Sequence, residues 1–135
     1  MKTIIYYLIA ICYSTGIYSQ APNWVVDPGD YGNLMNINAS ITGDCDVQGD
    51  ILAVFDQNDI IRGVSEVNDG NNEFFIIARS NVTSGETLYF AFYDSDADTI
   101  QLLKTQTIEF SNNSFLGFPD PIIITAPESL SLIHI

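Results

Sequence analysis

Between Leu34 and Ile41 the side chains alternate: Met35, Ile37, Ala39 and Ile41 are apolar, and Asn36, Asn38 and Ser40 stand between them. A period of two is the pattern of an extended strand with one face on a core and the other in water. Runs of similar length recur at 51–55, 60–67, 73–80, 87–93, 100–103, 107–110 and 122–125. Turn-forming clusters rich in Asp, Asn, Ser and Gly separate them, at 44–50, 56–59, 68–72, 84–85, 94–98 and 111–113. Asp and Asn favour such places because their side chains bond the backbone of the turn itself. No stretch beyond residue 20 repeats apolar residues at helical spacing. The pattern predicts an all-β domain of seven to eight strands, an antiparallel sandwich or barrel, of which the Ig-like antiparallel β-sandwich is the expectation adopted.

Two of these runs break the simple alternation. Phe74-Phe75-Ile76-Ile77-Ala78 is continuously apolar, and Leu88-Tyr89-Phe90-Ala91-Phe92-Tyr93 is nearly so. Such strands lie centrally, or carry a cover on the face turned away from the opposite sheet.

The amino terminus has a different character. Lys2, an apolar run from Ile4 to Tyr13 and a small-residue stretch ending at Ser19 follow the order of a secretory signal peptide. The apolar run is too short to span a bilayer. The expectation is a signal-peptide helix over 1–19, cleaved after Ser19, and a β-sandwich module over 20–129 in a secreted or cell-surface protein. Cleavage would leave Arg62, Arg79 and Lys104 as the basic side chains of a chain with 17 acidic ones. That imbalance argues against nucleic acid and against anionic membrane as partners, since both need a basic face. Cys45 would be the one remaining cysteine, so no disulfide could staple the domain. Its acidic neighbours Asp44 and Asp46 disfavour a thiolate there. The last six residues, 130–135, are what the sequence CTG TCT CTT ATA CAC ATC encodes, which resembles a transposase end used in sequencing libraries. They are therefore expected to be adapter read-through, and the protein to continue beyond them. His134 carries no functional argument on that reading.

Chemistry-bearing residues are few. Asp94, Asp96 and Asp98 place three carboxylates at alternate positions, as a loop wrapping a hard cation would. The helical calcium loop would need Gly and Glu where Thr99 and Thr105 stand, so the candidate is a calcium site in a β-turn, with Asp44, Asp46 or Asp50 as helpers. The competing reading is a solvated turn. Tyr89 and Tyr93 are candidate ligand-binding residues that could stack on sugar rings, against a competing reading as packed aromatic side chains. No constellation reads as catalytic. With so many carboxylates, nearness of some pair is expected by chance and identifies no acid–base couple.

Trp24-Val25-Val26-Asp27-Pro28-Gly29-Asp30-Tyr31, followed by Met35-Asn36-Ile37, resembles the opening of a β-sandwich module repeated in large secreted proteins of Bacteroidota. The resemblance continues through Gly49-Asp50-Ile51-Leu52-Ala53-Val54-Phe55, the Arg62-Gly63 hairpin return, Ser84-Gly85-Glu86-Thr87-Leu88 and Gly117-Phe118-Pro119-Asp120-Pro121-Ile122. It spans about Asn23 to Ala126. It implies a non-catalytic structural or interaction unit within type IX secretion cargo, with neighbouring domains of the same protein as partners. The alternative is a carbohydrate-binding accessory domain of a secreted hydrolase, with glycan as partner. From its position, Arg62 is expected to satisfy the carboxylates of the 56–59 turn, because guanidinium binds carboxylate bidentately.

Overall fold

The computed structural model describes residues 21–42, 49–67 and 73–126. The expected signal peptide over 1–19, Cys45 with its neighbours Asp44 and Asp46, and the 130–135 tail lie outside the described residues. Among the described residues, eight strands form two sheets packed face to face as a β-sandwich. They are β1 (Asn33–Thr42), β2 (Ile51–Asp56), β3 (Ile61–Glu66), β4 (Glu73–Ser80), β5 (Ser84–Asp94), β6 (Thr99–Ser111), β7 (Phe115–Leu116) and β8 (Ile122–Thr125). Sheet A orders β4-β1 with β7 and β8 in succession along the other edge of β1; sheet B orders β3-β2-β5-β6.

The alternation in β1 does what its period requires. Met35, Ile37, Ala39 and Ile41 are buried, and they meet Phe74, Ile76 and Ala78 of β4 and Leu52, Val54, Leu88, Phe90 and Phe92 of sheet B. A slip of one residue would turn this whole set to water, which fixes the register. The pairing departs from an all-antiparallel sandwich, because β7 and β8 both run parallel to β1. Gly117 makes the step between them. Its φ of +88° suits glycine, and a Cβ there would collide with the carbonyl oxygen of Asn38.

The break expected between the runs at 100–103 and 107–110 is absent. Residues 100–110 form a single strand, β6, because Tyr89 pairs with Thr107 while the next residue, Phe90, pairs with Leu103. Residues 104–106 therefore bulge from the ladder instead of ending it. Gln106 uses the bulge to reach β8: its amide accepts from the Thr125 N–H at 2.7 Å and donates to the Thr125 carbonyl at 2.6 Å. That side chain bonds the last strand of sheet A as a neighbouring strand would.

The near-continuous apolar character of β5 also has its cause. Its outward residues do not face open water: Trp24 sets its ring edge-on to Phe55 at 5.6 Å, and Phe55 stacks on Tyr89 at 5.6 Å. The extended segment carrying Pro22, Trp24 and Val26 alternates like a strand, with those three half-buried and Asn23 and Val25 exposed. Sheet B thus has a second layer on its outer face, in line with the cover that the sequence calls for.

Candidate functional site

Polar chemistry gathers at the two ends of the sandwich. β2 connects them, since Asp50 precedes it and Asp56 ends it, and both side chains follow the inward parity of Leu52 and Val54.

At the Asp56 end, Oδ1 accepts from the N–H groups of Asn58 and Ile60, at 2.8 and 2.9 Å, and so closes the β2–β3 turn. Oδ2 accepts from Arg62 Nη2 at 2.8 Å and Nε at 3.3 Å. The hairpin register aims the arginine: Val54 pairs with Gly63 but Phe55 pairs with Ile61, so Arg62 is the extra residue of a bulge. The following residue must be glycine, because a Cβ on Gly63 would lie 2.7 Å from the carbonyl oxygen of Ile77 in β4. Arg62 Nη2 also donates to Glu86 Oε2 at 2.9 Å, Glu86 Oε1 accepts from the buried Ser80 hydroxyl at 2.7 Å, and the guanidinium lies over the Tyr31 ring at 5.0 Å. Burial pushes the Asp56 carboxyl up, but the bonds from Ile60, Arg62 and Asn58 outweigh it and hold it below its ordinary value of 3.8. The expectation that Arg62 serves the 56–59 turn holds for Asp56. Asp59 is held instead by the Tyr89 hydroxyl, at 2.8 Å, and by Lys104, at 3.7 Å.

At the other end, Asp94, Asp96 and Asp98 do not close around a common point. Asp94 Oδ1 accepts from the N–H groups of Asp96 and Ala97 at 3.1 and 3.3 Å, which caps its own turn. Asp96 is exposed, and Asp98 accepts from the Tyr93 hydroxyl at 2.5 Å. Alternate spacing brought the three carboxylates into one turn, but the turn's own backbone engages one oxygen of Asp94 and a neighbouring phenol one of Asp98. Among the described residues, no group of three or more His, Cys, Asp or Glu side chains is arranged to hold a metal. Asp50 packs beneath this turn, with Oδ1 accepting from the Ser95 N–H and hydroxyl, both at 2.7 Å.

Tyr89 and Tyr93 are 5% and 6% exposed, so neither offers an open ring face to a sugar. Their phenols are pushed up to about 12, that of Tyr89 by burial and the Asp59 bond, that of Tyr93 by the Asp98 bond and burial. Aromatic exposure lies elsewhere, on the outer face of sheet A. Phe75 of β4 meets Phe115 of β7 edge-on at 5.5 Å, and Phe115 meets Phe118 at 5.5 Å with the rings tilted by 59°. All three are exposed, Phe118 to 76%, and Ile77 and Ile123 extend the surface on β4 and β8. Sequence reading missed this cluster, because Phe75 sits in an apolar run that reads as core and Phe115 in a strand of two residues. The signal was parity: Phe75 and Ile77 are out of phase with Phe74, Ile76 and Ala78.

Two open grooves flank the sandwich. One, of about 470 Å³, is lined by Leu102, Leu103, Thr105, Gln106 and Thr125, and one of about 210 Å³ by Pro22, Trp24, Ile51, Val64, Ser65 and Glu66. Neither lining gathers a pair of titratable groups. No family model, curated protein or solved structure matches this chain.

Proposed function

We propose that this chain is a non-catalytic structural or interaction module of a larger secreted or cell-surface protein, of the repeated Bacteroidota kind that its motifs resemble. The observation that carries the reading is the Phe75–Phe115–Phe118 surface. In a chain of net charge −13, the residues between these rings on β1 are Asn36 and Asn38, and the charged residues of β4 on the same face, Glu73 and Arg79, stand at its two ends. Contiguous exposed apolar surface marks a place where something docks. A neighbouring domain of the same acidic protein is the occupant that this chemistry favours, because a face with an apolar and amide centre keeps like-charge repulsion between the two low. Further support comes from the resemblance motifs themselves: Tyr31, Arg62 and Glu86 belong to three separate ones and meet in one network that holds the fold.

A carbohydrate-binding accessory role is the alternative, since exposed rings also stack on sugars. The edge-on and tilted arrangement fits it less well, because it offers no flat strip for successive sugar rings. The deciding experiment expresses the adjoining domain of the exported protein separately and measures its binding to this chain by calorimetry, beside a glycan array. Binding that Phe118→Ser weakens at least tenfold supports the module reading. Glycan retention lost in Phe118→Ser, or turnover of a glycoside by the purified chain, overturns it.

A further inference from the structure

The acidic end of the sandwich holds one group whose bonding is incomplete. Asp50 is 0% exposed, and its Oδ1 accepts two hydrogen bonds from Ser95, but Oδ2 on the same carbon is buried with no hydrogen-bond donor among the described residues. An orphaned carboxylate oxygen inside a protein is costly, and it is resolved by a proton, a donor or a cation. Asp94 faces Asp50 one step beyond the Ile51–Tyr93 pair of the β2–β5 ladder, and the next residue, Ser95, donates its N–H to Asp50. Burial first, then the charges of Asp50 and Asp96, raise the Asp94 carboxyl above its ordinary 3.8 against the bonds from its own turn. The described basic side chains are all at the opposite end. Arg62 is bound to Asp56 and Glu86, Lys104 is near Asp59, and Arg79 pairs with Leu34 one residue before Ser80, which bonds Glu86.

We propose that Asp50 Oδ2 and the Asp94 carboxylate together bind a calcium ion beneath the β5–β6 turn, with backbone carbonyls and water completing its shell. The donors are hard oxygens, and calcium accepts the irregular, water-completed geometry that magnesium resists. Two carboxylates form a weak site, with a dissociation constant of about 10⁻⁴–10⁻³ M, the range of extracellular modules. The site differs from an Asp94–Asp96–Asp98 tripod: it needs the buried Asp50 and leaves Asp98 to Tyr93.

The test is thermal unfolding of the purified protein, dialysed against chelator and then brought to about 10 mM calcium, beside sodium chloride of equal ionic strength. Calcium should raise Tm by about 5 °C beyond the salt control, saturating in the millimolar range or below. Asp50→Asn should abolish that rise. Should this variant fail to fold, Asp94→Asn serves in its place and should weaken calcium at least tenfold. A rise no larger than that given by salt, or a calcium response that survives in the folded variant, overturns the proposal.

Discussion

Asp50 and Asp56 stand at the two ends of one six-residue strand, point to the same side and are both nearly inaccessible, at 0% and 3% exposure. Asp56 receives four donors, two from its turn and two from Arg62. Among the described residues Asp50 receives two, both from Ser95 and both on one oxygen. Even the tyrosines of β5 follow the division, since Tyr89 donates to Asp59, which Lys104 also approaches, and Tyr93 donates to Asp98 among acids. One end of the sandwich is neutralised from within, while the other keeps its negative charge. Burial alone therefore does not tell a structural carboxylate from a receptive one; the donor count does.

The strongest way to break this contrast is to remove the cation from the neutralised end. Arg62→Met keeps much of the arginine stem's bulk but strands Asp56 and part-buried Glu86 without their counter-charge. Breaking a buried pair from one side costs about 3 kcal/mol. The urea unfolding midpoint should fall accordingly, with the slope unchanged. A loss below about 1 kcal/mol would mean that the turn amides of Asn58 and Ile60 suffice for Asp56 and that the arginine is ornamental.

Acid separates the two ends by sign. The folded Asp56 carboxyl is held below its unfolded value of 3.8, so its contribution is present above that pH and is lost as pH falls through the folded value. The folded Asp94 carboxyl is held above 3.8, so its ionised form opposes folding, and stability is gained as pH falls through the folded value towards 3.8. In chelator, Tm should therefore rise gently on acidification from neutrality and drop only below about pH 4. Asp94→Asn should remove the gentle rise and leave the drop. A Tm that falls monotonically from pH 7 in the unsubstituted protein would show that Asp94 is not strained by its neighbours.

How far the sequence reaches is clearest along β2 and β6. Alternation around Leu52 and Val54 predicts a strand with an inward face, and extending the same parity by one step each way reaches Asp50 and Asp56. Their burial was thus legible, but their partners were not. Arg62 finds Asp56 through a bulge, and Glu86 comes from a strand 24 residues on, so both depend on a register that only tertiary packing sets. In β6, polar Lys104-Thr105-Gln106 interrupts the apolar pattern, so local preference divides the run at 100–103 from that at 107–110. The long ladder with β5 overrides that preference and keeps the strand continuous. Tyr89 falls on the packed side of its two readings for a related reason: outward parity on sheet B predicts exposure, but Phe55 stacks on it and Trp24 lies against Phe55. Phe118 is the converse case, a hydrophobic residue in a Gly-Phe-Pro turn whose exposure no local rule announces.

The smallest expected effect makes the sharpest test. Asp50→Asn keeps an oxygen for the Ser95 donors and removes a buried charge that has no cation among the described side chains. In chelator at neutral pH its unfolding free energy should lie within about 1 kcal/mol of the parent, because the lost charge also removes a desolvation penalty. Set beside a loss of about 3 kcal/mol for Arg62→Met, near-neutrality would mean that equal burial at the two ends conceals opposite electrostatics. A cost at Asp50 as large as that at Arg62 would mean that this carboxylate is already matched inside the folded chain. Its end of the sandwich would then be as closed to a cation as the other.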